Sequence, residues 1–96
     1  MHAVIRSYSG AGAKELFDLL EARKDDVQSL IGRVTGFVSY SLVRTGEGGI
    51  SVTVCQDKTG TDESLQVARN WIIENAADLE TSAPSVSEGA VILHLT

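Results

Sequence analysis

The stretch from Gly36 to Asp57, "GFVSYSLVRTGEGGISVTVCQD", contains two runs of alternating apolar and polar residues around a glycine-rich connection. Alternation with a period of two predicts β-strands, which we place at about residues 37–44 and 50–56. Three glycines fall in the connection, residues 45–49, which predicts a hairpin whose turn is longer than two residues. The stretch therefore indicates an antiparallel pair of strands in the middle of the chain.

The first of these two strands carries apolar side chains on both of its faces. Successive side chains of a strand point to opposite faces. One face therefore receives Phe37 and Val43, and the other receives Val38, Tyr40 and Leu42. A sheet covered by helices on one side needs apolar side chains on that side only. The pattern predicts that something else covers the second face.

A strand and a helix precede the hairpin. Residues 2–8, "HAVIRSY", are rich in β-branched and aromatic residues and end at a Ser-Gly pair, which predicts a strand. From about residue 11 to residue 34, apolar residues recur at steps of three, four and seven. This spacing places them on one stripe of a helix and predicts a single first helix.

A second helix and a last strand follow the hairpin. The helix is predicted to begin near Thr59, Thr61 or Asp62, which are three alternative N-caps, and to run to about Leu79. After a polar loop that contains the only proline, the continuous apolar run "AVILHL" at residues 90–95 predicts the fourth strand.

The predicted element order is thus βαββαβ, within a single domain of residues 1–96. Right-handed crossovers and packing in two layers make the ferredoxin-like arrangement the simplest solution, an α+β fold with a four-stranded antiparallel sheet. Two helices can cover only one face of that sheet, while the second face carries apolar residues in the first, second and fourth strands. We therefore expect a homodimer formed through the helix-free face of the sheet.

Composition excludes several classes of function. The net charge of −5 argues against binding to nucleic acid or to an anionic membrane surface, since both depend on clustered Lys and Arg. No apolar run approaches the roughly 20 residues that a membrane span requires. Arg6 interrupts the only apolar stretch at the N-terminus, which is unlike a signal peptide. A single cysteine, Cys55, cannot form an internal disulfide, and we expect a cytoplasmic protein.

Several patterns resemble a known superfamily over essentially the whole chain. Gly36-Phe37 forms a Gly-aromatic opening to the second strand, Ser64, Ala68 and Trp71 form a Ser-x-x-x-Ala-x-x-Trp rhythm in the second helix, and "EG" at residues 88–89 precedes the closing strand. The chain resembles the dimeric α+β barrel superfamily, and within it the small proteins that are similar to antibiotic-biosynthesis monooxygenases. The resemblance implies a ferredoxin-like dimer; activities in this group range from cofactor-free oxygenation to haem degradation.

The sequence departs from the haem-degrading branch at its ligand positions. Those proteins use an Asn on the first strand, a Trp on the second helix and a His further along that helix. Here the first strand has no Asn, and the second helix contains Asn70 and Trp71 but no His. Without a helical imidazole there is no axial ligand for haem iron, so we expect no cofactor. His2 and His94 offer only two ligands on neighbouring strands, fewer than a metal site needs, and we expect no metal.

Six residues are candidates for a small-molecule site. His94 is a candidate base near neutral pH, and Tyr40 and Arg6 are candidates to orient a substrate oxygen or to pair at the dimer seam. Trp71, Tyr8 and Phe37 are candidates to contact a flat substrate through their rings. Each also has a plain structural interpretation as a core, edge or interface residue.

Two functions remain open from the sequence. The resemblance implies a cofactor-independent monooxygenase acting on a small, flat, apolar or aromatic substrate whose own carbanion reduces oxygen. The alternative is a non-catalytic dimer that binds a small ligand or acts as an interaction module. A cavity of several hundred Å³ that converges on Tyr, Arg or His would favour the enzyme. An interface filled by Phe17, Phe37 and Trp71 would favour the binding module.

Overall fold

The computed structural model describes all residues from Met1 to Thr96. Four antiparallel strands form one sheet in the order β2-β3-β1-β4, and the helices pack on one of its faces. The elements are β1 (His2–Ser9), α1 (Ala13–Ala22), α2 (Lys24–Ile31), β2 (Phe37–Thr45), β3 (Gly48–Cys55), α3 (Lys58–Asn75) and β4 (Ser85–Ala90). The prediction of a ferredoxin-like α+β fold with a four-stranded antiparallel sheet is confirmed. No helix combines the length and the apolar character needed to cross a bilayer.

The single helix predicted over residues 11–34 is wrong, because two helices meet at Arg23. The backbone of Arg23 leaves the helical region, with φ −113° and ψ 29°. Its guanidinium pairs with Asp26 at 2.6 Å and lies 5.7 Å from the ring centre of Trp71. The break redirects α2 while Val27 and Ile31 stay buried, so the apolar stripe continues across it.

The hairpin turn is shorter than the glycines suggest. Thr45 pairs with Gly48, so only Gly46 and Glu47 lie in the turn, and the prediction of a longer one is wrong. Gly48 and Gly49 belong to β3 and are buried. A side chain on Gly49 would meet the ring of Phe17, and one on Gly48 would meet the backbone of Tyr8. Gly49 therefore allows α1 to pack closely on the sheet, and Gly48 allows the close approach of β1.

The second predicted helix begins earlier than any of its three expected caps. Asp57 is the N-cap of α3, and its carboxylate accepts a hydrogen bond of 3.0 Å from the backbone N–H of Thr59. Thr61 lies inside the first turn, where its hydroxyl donates to the carbonyl of Lys58. The three predicted caps are wrong because the carboxylate of Asp57, one residue before the helix, already accepts the hydrogen bond from a free N–H of the first turn.

The last strand is displaced from its predicted position. β4 is Ser85–Ala90, inside the predicted polar loop, and the apolar run that follows it is not a strand. The cause is the length of β1: its first residue, His2, already lies opposite Ala90, so the chain beyond has no partner strand. A last backbone bond of 2.9 Å joins the N–H of Val91 to the carbonyl of Met1.

The sheet has an inner face toward the helices and a second face, here called the open face, that no helix covers, although Val54 on it is buried. The open face carries an apolar patch on β1, β3 and β2: Ala3, Ile5, Ile50, Val52, Val54 and Val43. The outward positions of β4 are Ser85, Ser87 and Gly89, so the expected apolar contribution of the fourth strand is absent. A bulge between Phe37 and Ser39 shifts the register, which brings Phe37 to the same face as Tyr40 instead of Val43.

Candidate functional site

Four of the six predicted site residues line one small space between the inner face and the helices. Arg6 and Tyr8 come from β1, Tyr40 from β2 and Trp71 from α3, and Ser51 of β3 completes what we call the inner cluster. The sheet register explains the meeting, because Arg6 pairs with Ser51 and both point inward. The space has a volume of about 20 Å³, enough for one water molecule.

Arg6 is the unusual member of the inner cluster. Its side chain is only 4% exposed, no carboxylate pairs with its guanidinium, and its Nε has no hydrogen-bond partner. A buried charge without a counter-charge costs several kcal/mol, and native proteins normally pair it. The Oγ of Ser51 and the Oγ1 of Thr53, on the same inner face, are also buried without a partner at good hydrogen-bond geometry. Arg6 and Ser51 nevertheless lie close enough to Tyr40 for weak side-chain hydrogen bonds that act to lower the pKa of its phenol. The cluster is thus a set of buried polar groups that satisfy one another only in part.

The same surroundings shift the pKa of the Tyr40 phenol. Burial raises the pKa of its phenol above the ordinary value of 10.0, and the positive charge of nearby Arg6 opposes this only in part. Tyr40 therefore keeps its proton at neutral pH, and its hydroxyl can donate a hydrogen bond.

The ionisation of Tyr40 can be measured directly because the chain has only two tyrosines. In a Tyr8→Phe variant, phenolate absorbance should rise with a midpoint above pH 10.0 in the folded protein and near 10.0 in denaturant. Since the raised pKa belongs to the folded state, its contribution to stability is complete below pH 10.0 and is lost as the pH rises through the folded value. A folded midpoint at or below that of the denatured protein would contradict the burial of this phenol.

An outer groove of about 390 Å³ adjoins the inner cluster. It runs between α3 and the segment Thr81–Pro84, and Arg6 and Tyr8 form its inner wall. Its volume falls within the range of small-molecule sites. The groove thus provides the opening of several hundred Å³ that converges on Arg and Tyr, while the innermost space is nearly filled by side chains.

Phe37 and His94 lie away from the inner cluster. Phe37 is 37% exposed and lines a separate depression with Tyr40 and residues of α2. His94 belongs to the segment after β4 and lines neither the inner cluster nor the outer groove; its Nε2 is enclosed without a hydrogen-bond partner. The structure therefore separates these two candidates from the other four.

The expected proximity of His2 and His94 is not found in the strand pairing. His2 lies opposite Ala90, and His94 lies beyond the end of β4. The ring of His2 instead contacts Thr61 Oγ1 at 2.8 Å and Glu88 at 3.5 Å. No group of three or more His, Cys, Asp or Glu side chains is arranged to hold a metal ion.

Two components of the site were not predicted as site residues. Ser51 belongs to the inner cluster, and Arg69 lies in the outer groove. The signal for Ser51 was present, since Ser51 and Thr53 place hydroxyls at alternate positions of a central, buried strand. No local pattern distinguishes Arg69 from other charged residues of an amphipathic helix, because its position depends on the segment that packs opposite α3.

Comparison with known proteins identifies the fold. No protein-family profile and no curated sequence matches the chain. A dimeric ferredoxin-like protein from an uncultured marine organism is 15% identical, with 99% of this chain and 95% of that chain covered and a TM-score of 0.63. The haem degrader MhuD of Mycobacterium tuberculosis, with two haems bound in its active site, is 19% identical over 100% of both chains, with a TM-score of 0.61.

A cofactor-independent oxygenase, SnoaB of Streptomyces nogalater, is also similar. It is 19% identical, 99% of this chain and 94% of that chain are covered, and the TM-score is 0.57. Identities below one fifth establish a shared fold, whereas function depends on the residues of each site. The chain has the ferredoxin-like α+β fold that these structures share, as the sequence predicted.

Proposed function

We propose that this protein is a cofactor-independent monooxygenase for a small, flat, mainly apolar substrate that carries an ionisable oxygen. The observation that carries the proposal is the buried guanidinium of Arg6, which has no counter-charge and an unpaired Nε, beside the protonated phenol of Tyr40. Arg6 lines the mostly apolar outer groove and Tyr40 lies behind it in the inner cluster, an arrangement of donors that matches an aromatic enolate or phenolate. The similarity to a cofactor-independent oxygenase supports this reaction class.

Arg6 and Tyr40 would act by stabilising the anion from which the reaction starts. A substrate oxygen seated on Arg6 accepts charge-assisted hydrogen bonds, which lower the pKa of the adjacent enolisable C–H group. Neither a carboxylate nor an imidazole lines the inner cluster or the outer groove. The released proton therefore passes to water in the groove, and His94, the predicted base, has no part in this step.

The oxygen chemistry balances without any other redox partner. The deprotonated methylene carbon of the substrate transfers two electrons to dioxygen and forms a C–O bond, and one proton converts the resulting peroxide anion into a hydroperoxide. The hydroperoxide then loses water, as its remaining C–H proton leaves and its O–O bond breaks, and the carbon becomes a ketone. One methylene group and one dioxygen thus yield one carbonyl group and one water; the substrate loses four electrons and dioxygen gains four. The protein contributes orientation, charge stabilisation and partial exclusion of water.

Oxygen uptake tests the proposal. The protein with a panel of anthrones, each with the reacting methylene group, should consume one dioxygen per ketone formed, in EDTA and without flavin, faster than the uncatalysed reaction. Trp71→Phe should change the relative rates within the panel, because the indole lines the inner cluster, and should leave the fold nearly intact. Gln66→Ala, on the exposed side of α3 and outside both spaces, is the control and should not change the relative rates.

A non-catalytic ligand-binding module is the second candidate, and the small size of the innermost space favours it. Only about 20 Å³ is free there, and Tyr8 packs edge-to-face on Phe17 with ring centres 5.9 Å apart. In that case a ligand would occupy the outer groove alone. Saturable binding of panel members with no uptake above the uncatalysed rate would establish this function instead.

We further propose that the protein acts as a homodimer of single-domain subunits joined through the open face. Of the apolar patch there, Val43 is 45% exposed and Ala3, Ile5, Ile50 and Val52 are partly exposed. The segment after β4 also exposes Ile92, Leu93 and Leu95 to 98%, 74% and 83%, and we assign this segment to the same interface. Exposed apolar surface of this kind is typical of an interface. The similarity to a dimeric ferredoxin-like protein supports the same assembly. The reduced thiol of buried Cys55 is consistent with our further proposal of a cytoplasmic location.

A further inference from the structure

The outer groove has an unusual charge for this protein. The whole chain has 13 acidic and 8 basic residues, yet the only charged residues that line the groove are Arg6 and Arg69. No Asp or Glu lies among its lining residues, and Arg69 forms no ion pair. A local positive field in an acidic protein concentrates anions at that place.

The two arginines differ in depth. Arg6 is buried at the inner wall, whereas Arg69 is exposed in the fourth turn of α3, where Leu65, Ile72 and Ile73 line the same groove at helical spacing. Apolar surface from α3 and from the segment that faces it therefore lies in the groove together with both guanidinium groups. A ligand that fits the buried Arg6, the apolar walls and the exposed Arg69 has an oxyanion at its inner end, a flat apolar body and a second anionic group at its outer end.

We propose that the groove selects aromatic substrates with a carboxylate on the ring remote from the reacting carbon, and that Arg69 binds this carboxylate. A guanidinium presents two parallel N–H donors to a carboxylate. A phosphate would call for more donors, such as a helix N-terminus, but α3 begins at Lys58, about three turns away from Arg69. The assignment of the substrate oxyanion to Arg6 rests on the proposed function. The assignment of the carboxylate to Arg69 rests on Arg69 and the groove alone.

Anaerobic binding of a matched pair of probes tests the assignment. The probes are an anthrone with a carboxylate on its outer ring and the carboxamide of the same anthrone, followed by the fluorescence of Trp71, the only tryptophan. At low ionic strength the native protein should bind the carboxylate about tenfold more tightly, and about 0.5 M NaCl should reduce this preference. Arg69→Gln should abolish the preference without changing the affinity for the carboxamide.

Arg33→Gln is the matched control, because Arg33 is exposed, forms no ion pair and lies outside the groove. It should retain the full preference for the carboxylate. Equal affinities of the native protein for both probes, binding of neither, or a preference that survives Arg69→Gln would overturn the assignment. Oxygen uptake with the unsubstituted anthrone is measured separately, so the monooxygenase proposal can stand if Arg69 fails. Arg69-dependent binding without uptake would support the carboxylate site and move the protein to the binding class.

Discussion

Arg6→Met is expected to abolish ligand binding and oxygen uptake while leaving the ligand-free protein as stable as before or more stable. The guanidinium is buried, lacks a counter-charge and leaves its Nε unpaired, so its desolvation on folding is compensated only in part, by the hydrogen bond with Tyr40. Methionine has a similar length and adapts to irregular space. Replacing buried ionic groups by apolar ones often raises the free energy of unfolding, here by about 1–4 kcal/mol. Loss of an oxyanion donor typically lowers the catalysed rate by about 10²–10³.

Three measurements test this expectation on Arg6→Met and on two further variants. Chemical denaturation gives the free energy of unfolding, anaerobic fluorescence gives the affinity, and oxygen uptake gives the rate. Arg6→Lys keeps the charge but loses the planar fork, so it should recover only part of the rate. Arg44→Met is the control: Arg44 is partly exposed and pairs with Asp18 and Glu21 at 3.1 Å, and solvent screens both of these surface pairs. It should leave binding unchanged.

The opposite outcome would assign Arg6 to the fold. If Arg6→Met unfolds the protein or lowers the free energy of unfolding by several kcal/mol, the guanidinium must have structural partners. Unchanged binding and oxygen uptake in a folded Arg6→Met variant would equally remove the observation on which the proposed function rests. A residue that costs stability and provides activity is expected at a functional site.

The central hairpin and the element order were predictable because periodicity is a local property. The strand runs on both sides of Gly46 alternate as a sheet requires, and the apolar stripes fix where the helices lie. The position of β4 was not predictable in the same way. An apolar run at 91–95 is a better strand by composition than Ser85–Ala90, but the N-terminal end of β1 at His2 decides where pairing stops. That limit belongs to the tertiary structure.

The inner cluster was partly predictable for a similar reason. Arg6 and Tyr8 alternate on one strand, so a common face follows from their spacing. The parity of Phe37 relative to Tyr40 did not follow, because the bulge before Ser39 inserts one residue. A bulge changes every face assignment on one side of it while leaving the alternating pattern recognisable. The same shift shows that Phe37 and Tyr40, both on the helix side, are unsuitable positions for testing the dimer.

Val52→Asp is the suitable change for that test and is expected to convert a symmetric dimer into a monomer. Val52 lies on β3, next to Ile5 on β1, in the middle of the open face. An interface of standard size buries about 800 Å² on each subunit. At about 25 cal/mol per Å² of apolar area, this corresponds to tens of kcal/mol before association costs of about 4–15 kcal/mol or more are subtracted. A carboxylate at the centre of such a surface would be desolvated twice, once in each subunit, because a two-fold axis uses the same patch twice.

Light scattering at micromolar concentration should give about twice the 10.2 kDa chain mass for the native protein and about 10.2 kDa for Val52→Asp. Gln66→Asp, which adds the same charge on the exposed side of α3, is the control and should remain dimeric. Removal of residues 91–96 should also weaken the dimer, because we assign the exposed apolar side chains of this segment, Ile92 among them, to the interface. Val52→Asp should aggregate more readily on heating than the native protein, because the rest of the open face becomes exposed. A stable native monomer would contradict the dimer and leave the apolar residues of the open face without an explanation.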